Sequence, residues 1–162
     1  MDMKVSVVPV SFPEGANIVI GQSHFIKTAE DIAEIMSSSV PGAKYGLAFC
    51  EASGPCLIRT EGNDEALVAQ AVRAAQEVGA GHSFFLILKD AYPINVLNQI
   101  KSCQEVCRIF CATANPLQVL IGATDQGRGI LGVIDGFPPK GVEKEKDKTE
   151  RRSMLRKFGY KF

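Results

Sequence analysis

The chain has 162 residues, 46% of them hydrophobic and 22% charged, with a formal net charge of zero. That length suits one domain able to bury about two-thirds of the surface its unfolded chain exposes. The apolar content excludes a disordered chain, and runs such as Phe84 to Leu88 are too short to span a bilayer. The zero is a cancellation. Residues 1–136 hold 9 Lys/Arg and 14 Asp/Glu, a charge near −5, whereas residues 137–162 hold 9 and 4, near +5. The N-terminus lacks the charged start, apolar run and small-residue cleavage site of a secretory signal, so a cytoplasmic protein is expected.

Strands are expected over Lys4 to Val10 and Asn17 to Gln22, separated by the breakers Pro13, Glu14 and Gly15. Thr28 opens a helix: its hydroxyl can cap, Glu30 and Asp31 charge the first turn, and Ile32, Ile35 and Met36 form an apolar stripe. Tyr45 to Cys50 and Cys56 to Thr60 read as strands around the turn Glu51-Ala52-Ser53-Gly54-Pro55. Gly62-Asn63-Asp64-Glu65 starts a second helix, with Leu67, Ala71, Ala74, Ala75 and Val78 as its packed face, and Gly79-Ala80-Gly81 ends it. Ser83 to Leu88 is apolar throughout and must be buried on both faces. A helix over Pro93 to Ser102 begins on proline, and strands follow at Val106 to Ala112, Leu117 to Gly122 and Gly129 to Asp135. The last two are joined by a loop of turn formers, residues 123–128. Pro138 and Pro139 mark a boundary before a charged helix from roughly Glu143 to Lys157. The fold expected is a single-domain α/β layered sandwich on a mixed β-sheet. Residues 1–136 form its ligand-binding body, and residues 137–162 are a basic segment packing on that body or on a neighbouring subunit.

Five cysteines (50, 56, 103, 107 and 111) form an odd set without metal-type spacing. Cys107, Ile109 and Cys111 are expected on one face of a strand as small buried hydrophobes. No P-loop, nucleophile elbow, HExxH or post-strand GxGxxG is present. Chemistry must therefore come from polar residues at element junctions, where open α/β sheets bind ligands. His24 precedes a helix N-terminus beside Lys27, a setting that favours an anion. His82 follows Gly79-Ala80-Gly81, where glycine lets a ligand approach the backbone. Neutral imidazole is both a general base and a nucleophile toward phosphorus. Asn63, Asn95 and Asn115 suit caps and turns, and their amides also suit a purine edge. Asp64 and Asp135 are the carboxylates placed to hold Mg²⁺. Ser53 and Gly54 form a tight turn or a backbone cradle for ligand oxygens. Arg128, between two glycines, suits a phosphate. The basic tail carries Met154, Leu155, Phe158, Tyr160 and Phe162, which favour docking over nucleic-acid contact, as does the acidic body.

Several ordered strings carry a wider likeness: Asn17 to Asp31 (NIVIGQSHFIKTAED), Gly46 to Pro55 (GLAFCEASGP), Gly81 to Leu88 (GHSFFLIL) and Pro93 to Lys101 (PINVLNQIK). Ile109 to Pro116 (IFCATANP), Gly127 to Gly136 (GRGILGVIDG) and the closing Gly159-Tyr160-Lys161 continue it. Together they resemble the adenosine-specific kinase family, small proteins of archaea and bacteria. The resemblance implies an α/β subunit that assembles into a homo-oligomer, a trimer favoured. It implies binding of adenosine, AMP or ATP with Mg²⁺, and a phosphorylated histidine, His82 first and His24 second. The reaction implied is transfer of the ATP γ-phosphoryl group to adenosine. Lys27, Lys101 and Arg128 are the cations, and Asn63, Asn95 and Asn115 the amide readers. The alternative is a non-catalytic oligomeric sensor of adenine nucleotides.

Overall fold

The hydrophobic patterning resolves into two sheets. The computed structural model describes residues 2–162. Its elements are β1 (Lys4–Val10), β2 (Asn17–Ser23), α1 (Thr28–Ser39), β3 (Lys44–Cys50), β4 (Ile58–Gly62), α2 (Glu65–Val78) and β5 (Ser83–Lys89). A 3-10 turn at Pro93–Asn95 leads into α3 (Leu97–Ser102), β6 (Val106–Thr113), β7 (Leu117–Ala123), β8 (Arg128–Asp135) and α4 (Glu145–Lys157). A five-stranded sheet runs β4-β3-β5-β2-β6, and a three-stranded sheet runs β1-β7-β8.

The single α/β domain is as expected, but the one mixed sheet is replaced by two sheets in which every pairing is antiparallel. The reason lies in β5. The crossover through α1 leaves β2 and β3 pointing the same way, and β5 fills the slot between them in the opposite direction. β2 is buried along nearly its whole length and suits a position inside the sheet, whereas β1 is exposed over most of its residues and joins the outer sheet.

β5 is the hinge of the packing. Phe84, Leu86 and Leu88 face a core completed by Ile32 and Met36 of α1 and Val96 and Ile100 near α3. Phe85 and Ile87 face the opposite core, filled by Leu67, Ala71 and Ala75 of α2 and by Val119 and Ile121 of β7. An uninterrupted apolar strand is required because both of its faces are covered.

Four local expectations are corrected. The Thr28 hydroxyl does not cap α1; it bonds to the Phe25 carbonyl (2.6 Å) and the Ser23 hydroxyl (2.6 Å), tying β2 to the helix start. β4 begins at Ile58 rather than Cys56, because Glu51 closes the preceding loop by accepting from the Leu57 N–H at 3.0 Å. The Pro93–Ser102 segment breaks at Val96, whose buried side chain fits the core with non-helical dihedrals. Cys111 and Ile109 do not share a face. The β2–β6 register shifts between Ile20 and Gly21, leaving Phe110 as the extra residue, so Cys111 enters one core and Ile109 the other.

Gly46 on β3 lies against the first turn of α2. A Cβ there would sit 2.1 Å from the Val68 backbone nitrogen. Backbone cannot rotate away as a side chain can, so Gly46→Ala is expected to destabilise the protein by roughly 1–3 kcal/mol, toward the upper end. A thermal or denaturant midpoint unchanged from wild type would contradict this packing.

Two surfaces remain open. The small sheet presents the apolar residues Val5, Val7 and Leu131 to solvent, each at least half exposed. Helix α4 buries none of its residues. Its ion pairs join Lys148 to Glu145 (2.6 Å), Arg151 to Glu143 (2.7 Å) and Lys146 to Glu150 (3.8 Å). No helix among the described residues is long and apolar enough to cross a membrane.

Candidate functional site

The five-stranded sheet gathers both histidines at one end. The His82 N–H donates to the Cys50 carbonyl (2.7 Å), its own carbonyl accepts from the Ser23 N–H (3.0 Å), and the next residue, His24, donates its N–H to the Glu105 carbonyl (3.0 Å). His82 therefore joins the end of β3 to the end of β2. It does so with a positive φ of 61°, a left-handed conformation uncommon for a residue with a Cβ. Strain of this kind, about 1–3 kcal/mol, persists where surrounding contacts hold it and concentrates at functional sites. The imidazole stacks on Phe49, with ring centroids 6.0 Å apart and planes at 18°. His82 is half-buried and ring-oriented, while His24 is exposed on the surface.

Gly81, the residue before His82, lines a cavity of about 590 Å³ together with Glu51, Gly79, Gly127 and Arg128 among others. The Arg128 guanidinium donates to the Glu77 carbonyl at 3.1 Å, closing the C-terminus of α2, and packs against Gly79, where a Cβ would come within 3.0 Å of it. Ser53 and Gly54 sit in the exposed loop between β3 and β4; Gly54 adopts a φ of 61°, and the Ser53 carbonyl accepts from the Cys56 N–H (3.2 Å). Ala52 of that loop touches Gly81. Glu51 is held below the ordinary carboxylate range, first by the Leu57 N–H and then by Arg59. Glycines, a guanidinium and an oriented imidazole make this end suited to binding a phosphoryl group.

The opposite end carries the amides. Asp135 accepts from the Thr113 hydroxyl (2.6 Å) and the Asn115 amide (3.0 Å), both on Oδ1, and the Asn115 N–H donates to Thr113 (3.0 Å). Next to this triad is a cavity of about 610 Å³ lined by Asn17, Tyr92, Pro93, Ile94, Thr113, Asn115, Phe158 and Tyr160. Aromatic walls with a few amides are the lining expected for a planar base. Tyr92, Phe158 and Tyr160 were not singled out as ligand residues from sequence; the only signal was the aromatic ending of the tail. Asn95 bonds back to the Tyr92 N–H (2.9 Å), holding the 3-10 turn on one wall.

Asn63 and Asp64 are placed elsewhere. The Asn63 amide accepts from the Tyr45 N–H (2.8 Å) and donates to the Ala43 carbonyl (2.9 Å). Asp64 caps α2 through the Leu67 N–H (3.1 Å) and faces Lys44 at 3.8 Å. They lie by the β3–β4 edge, whereas Asp135 contacts β6 at the other edge, so Asp64 and Asp135 do not form one metal site. Among the described residues Asp135 is bonded through Oδ1 and is exposed, whereas Asp64 is already engaged by the Leu67 N–H and Lys44. Lys101 is exposed in the last turn of α3, and Lys27 pairs with Asp31 on α1. The metal-competent grouping among the described residues is a different one, Asp31, Cys103 and Glu105, close to His24.

The chain has relatives in sequence and in fold. The family model described as "Adenosine specific kinase" matches residues 8–161. The crystal structure of the PH1918 protein from Pyrococcus horikoshii OT3 is 42% identical, covers 99% of each chain and superposes with a TM-score of 0.94. A search of curated proteins gave no match. With the family model spanning nearly the whole chain, the protein belongs to the adenosine-specific kinase family.

Proposed function

We propose that the protein transfers the γ-phosphoryl group of ATP to adenosine through a phosphohistidine at His82, giving ADP and AMP. In the first half-reaction the P–O bond to the β-phosphate breaks and an imidazole nitrogen bonds to phosphorus, releasing ADP. In the second the adenosine 5′-hydroxyl attacks that phosphorus and displaces the imidazole, whose departing nitrogen takes up the hydroxyl proton. Mg²⁺ enters with ATP as part of the substrate. The observation that carries this reading is His82 itself, locked in a left-handed conformation with its ring set on Phe49, one residue from the Gly81 lining of the Arg128 cavity. Phosphoryl transfer is mostly positioning and charge neutralisation, and Arg128 supplies the fixed cation. His24, exposed and without such a setting, is the weaker nucleophile candidate.

Adenosine is assigned to the aromatic–amide cavity, where Tyr92, Phe158 and Tyr160 offer ring faces and Asn17 and Asn115 offer amides. That cavity and His82 lie at opposite ends of β5: Ser83 pairs with Gln22 and Leu88 with Asn17, a separation of about 17 Å at the rise of a strand. Reacting atoms must approach to roughly 3 Å. The acceptor therefore meets the phosphohistidine of a neighbouring copy, and a head-to-tail contact repeated in this way closes into a ring, a trimer as the family resemblance implies. The apolar outer face of the small sheet and the unburied α4 favour such an assembly. The positive tail, set against an acidic body, favours it too.

The test is direct. Purified protein with Mg²⁺, ATP and each nucleoside in turn should give AMP from adenosine and an acid-labile phosphoprotein. Nucleotide binding with neither product would favour the sensor reading instead, and absence of both products for every nucleoside would sink the kinase.

A further inference from the structure

We propose that Asp31, Cys103 and Glu105 form a binding site for a thiophilic divalent cation of the Zn²⁺ class, next to His24 and separate from the carboxylates considered for Mg²⁺. The three residues come from different elements: Asp31 from α1, Cys103 from the end of α3 and Glu105 from the approach to β6. One donor atom from each lies within 4.8 Å of the other two.

Glu105 is what separates this cluster from an ordinary acidic patch. It is only 2% exposed, and both of its carboxylate oxygens are buried without any hydrogen-bond partner. Buried carboxylates are almost always paired, because a dehydrated, uncompensated charge is strongly destabilising. The neighbouring Asp31 carboxylate is also an acceptor, so it offers Glu105 no donor when both are ionised. Lys27 satisfies Asp31 from the solvent side, and its ammonium is held protonated above its ordinary range, first by that bond. The Glu105 carboxyl is left facing Asp31 and the Cys103 sulfur, and burial, with the Asp31 carboxylate beside it, pushes it above its ordinary range.

The donor chemistry selects the ion. Mg²⁺ and Ca²⁺ take oxygen ligands and disfavour a thiolate. Zn²⁺ accepts mixed sulfur and oxygen sets, at about 2.3 Å to sulfur and about 2.0–2.2 Å to oxygen. Closing on such an ion requires the donors to draw together by up to about 1.5 Å, a movement open to side chains on three separate elements. Burial and the two carboxylates push the Cys103 thiol up, so a cation that takes the thiolate as a ligand displaces its proton. Three protein ligands leave a position for water. A cation here would staple α1, α3 and β6 together beneath His24, whose N–H already bonds to the Glu105 carbonyl.

The experiment uses the full chain after metal stripping, with Co²⁺ as the optical probe and Zn²⁺ as competitor. Cys56 and Cys107, the exposed thiols, are replaced by Ser in the background protein. One Co²⁺ per chain is expected, with a thiolate charge-transfer band in the near ultraviolet that Zn²⁺ abolishes and a melting temperature raised by either ion. Cys103→Ser should remove the band, and Glu105→Gln should weaken binding at least about tenfold. The proposal is overturned if the background protein gives no band and no thermal shift, or if the band survives Cys103→Ser. It is equally overturned if Glu105→Gln raises stability while no ion binds, since the carboxylates would then be sharing a proton.

Discussion

His82→Asn is expected to abolish the acid-labile phosphoprotein and to lower AMP formation by on the order of a hundredfold or more, the scale of losing one positioned acid–base or nucleophilic group. Asparagine is chosen because it tolerates the left-handed backbone that His82 adopts. The N–H to Cys50 and the carbonyl to Ser23 are kept, so the join between β3 and β2 survives. The melting temperature should therefore stay near that of wild type while turnover collapses. His24→Ala, at an exposed position, is expected to cost less than tenfold by the same reasoning. Radiolabel retained on the His82 variant, or a larger loss at His24, would reverse the assignment of the two histidines.

The second expectation concerns the distance between the two ends. Phe158→Ala with Tyr160→Ala removes two rings from the aromatic cavity. At about 1–3 kcal/mol of stacking per ring, adenosine binding should weaken by roughly thirtyfold to ten-thousandfold. That double variant and the His82→Asn variant should each be nearly inactive alone. Dissociated and reassembled together, they should recover roughly a quarter of wild-type activity, because in a head-to-tail ring that share of interfaces joins an intact His82 end to an intact aromatic end. A site contained within one chain would recover nothing, so the mixture distinguishes the two arrangements without any structure of the assembly.

Much of this molecule was legible from local pattern. The unbroken apolar run at Ser83–Leu88 requires cover on both faces, and β5 has it, with Phe84 in one core and Phe85 in the other. The Asp64 cap and the Gly79 stop bound α2 as their chemistry demands. Those signals are readable because they act over a few residues. The two-sheet arrangement was not, since it depends on β1 finding β7 more than a hundred residues away and on β5 entering between β2 and β3. The Phe110 bulge, which parts Cys111 from Ile109, likewise arises from how β6 registers on β2 and leaves no local mark.

The candidate site divides in the same way. Residue types and junction positions alone pointed to His82, Arg128, Asn115 and Asp135 as chemically useful groups, because glycine-flanked turns and strand ends expose them. Only the fold sorted them into two clusters at opposite ends of the five-stranded sheet, withdrew Asn63 and Asp64 into capping and strand-end bonds, and brought Tyr92 to the tail rings. Only the fold buried Glu105 without a partner beside Cys103 and Asp31. Composition showed an acidic body and a basic tail whose charges cancel. Tertiary structure determined that no residue of the tail helix is fully buried, and that Phe158 and Tyr160 join body residues around one cavity. Local chemistry is written residue by residue, whereas proximity between distant residues is a property of the packed chain.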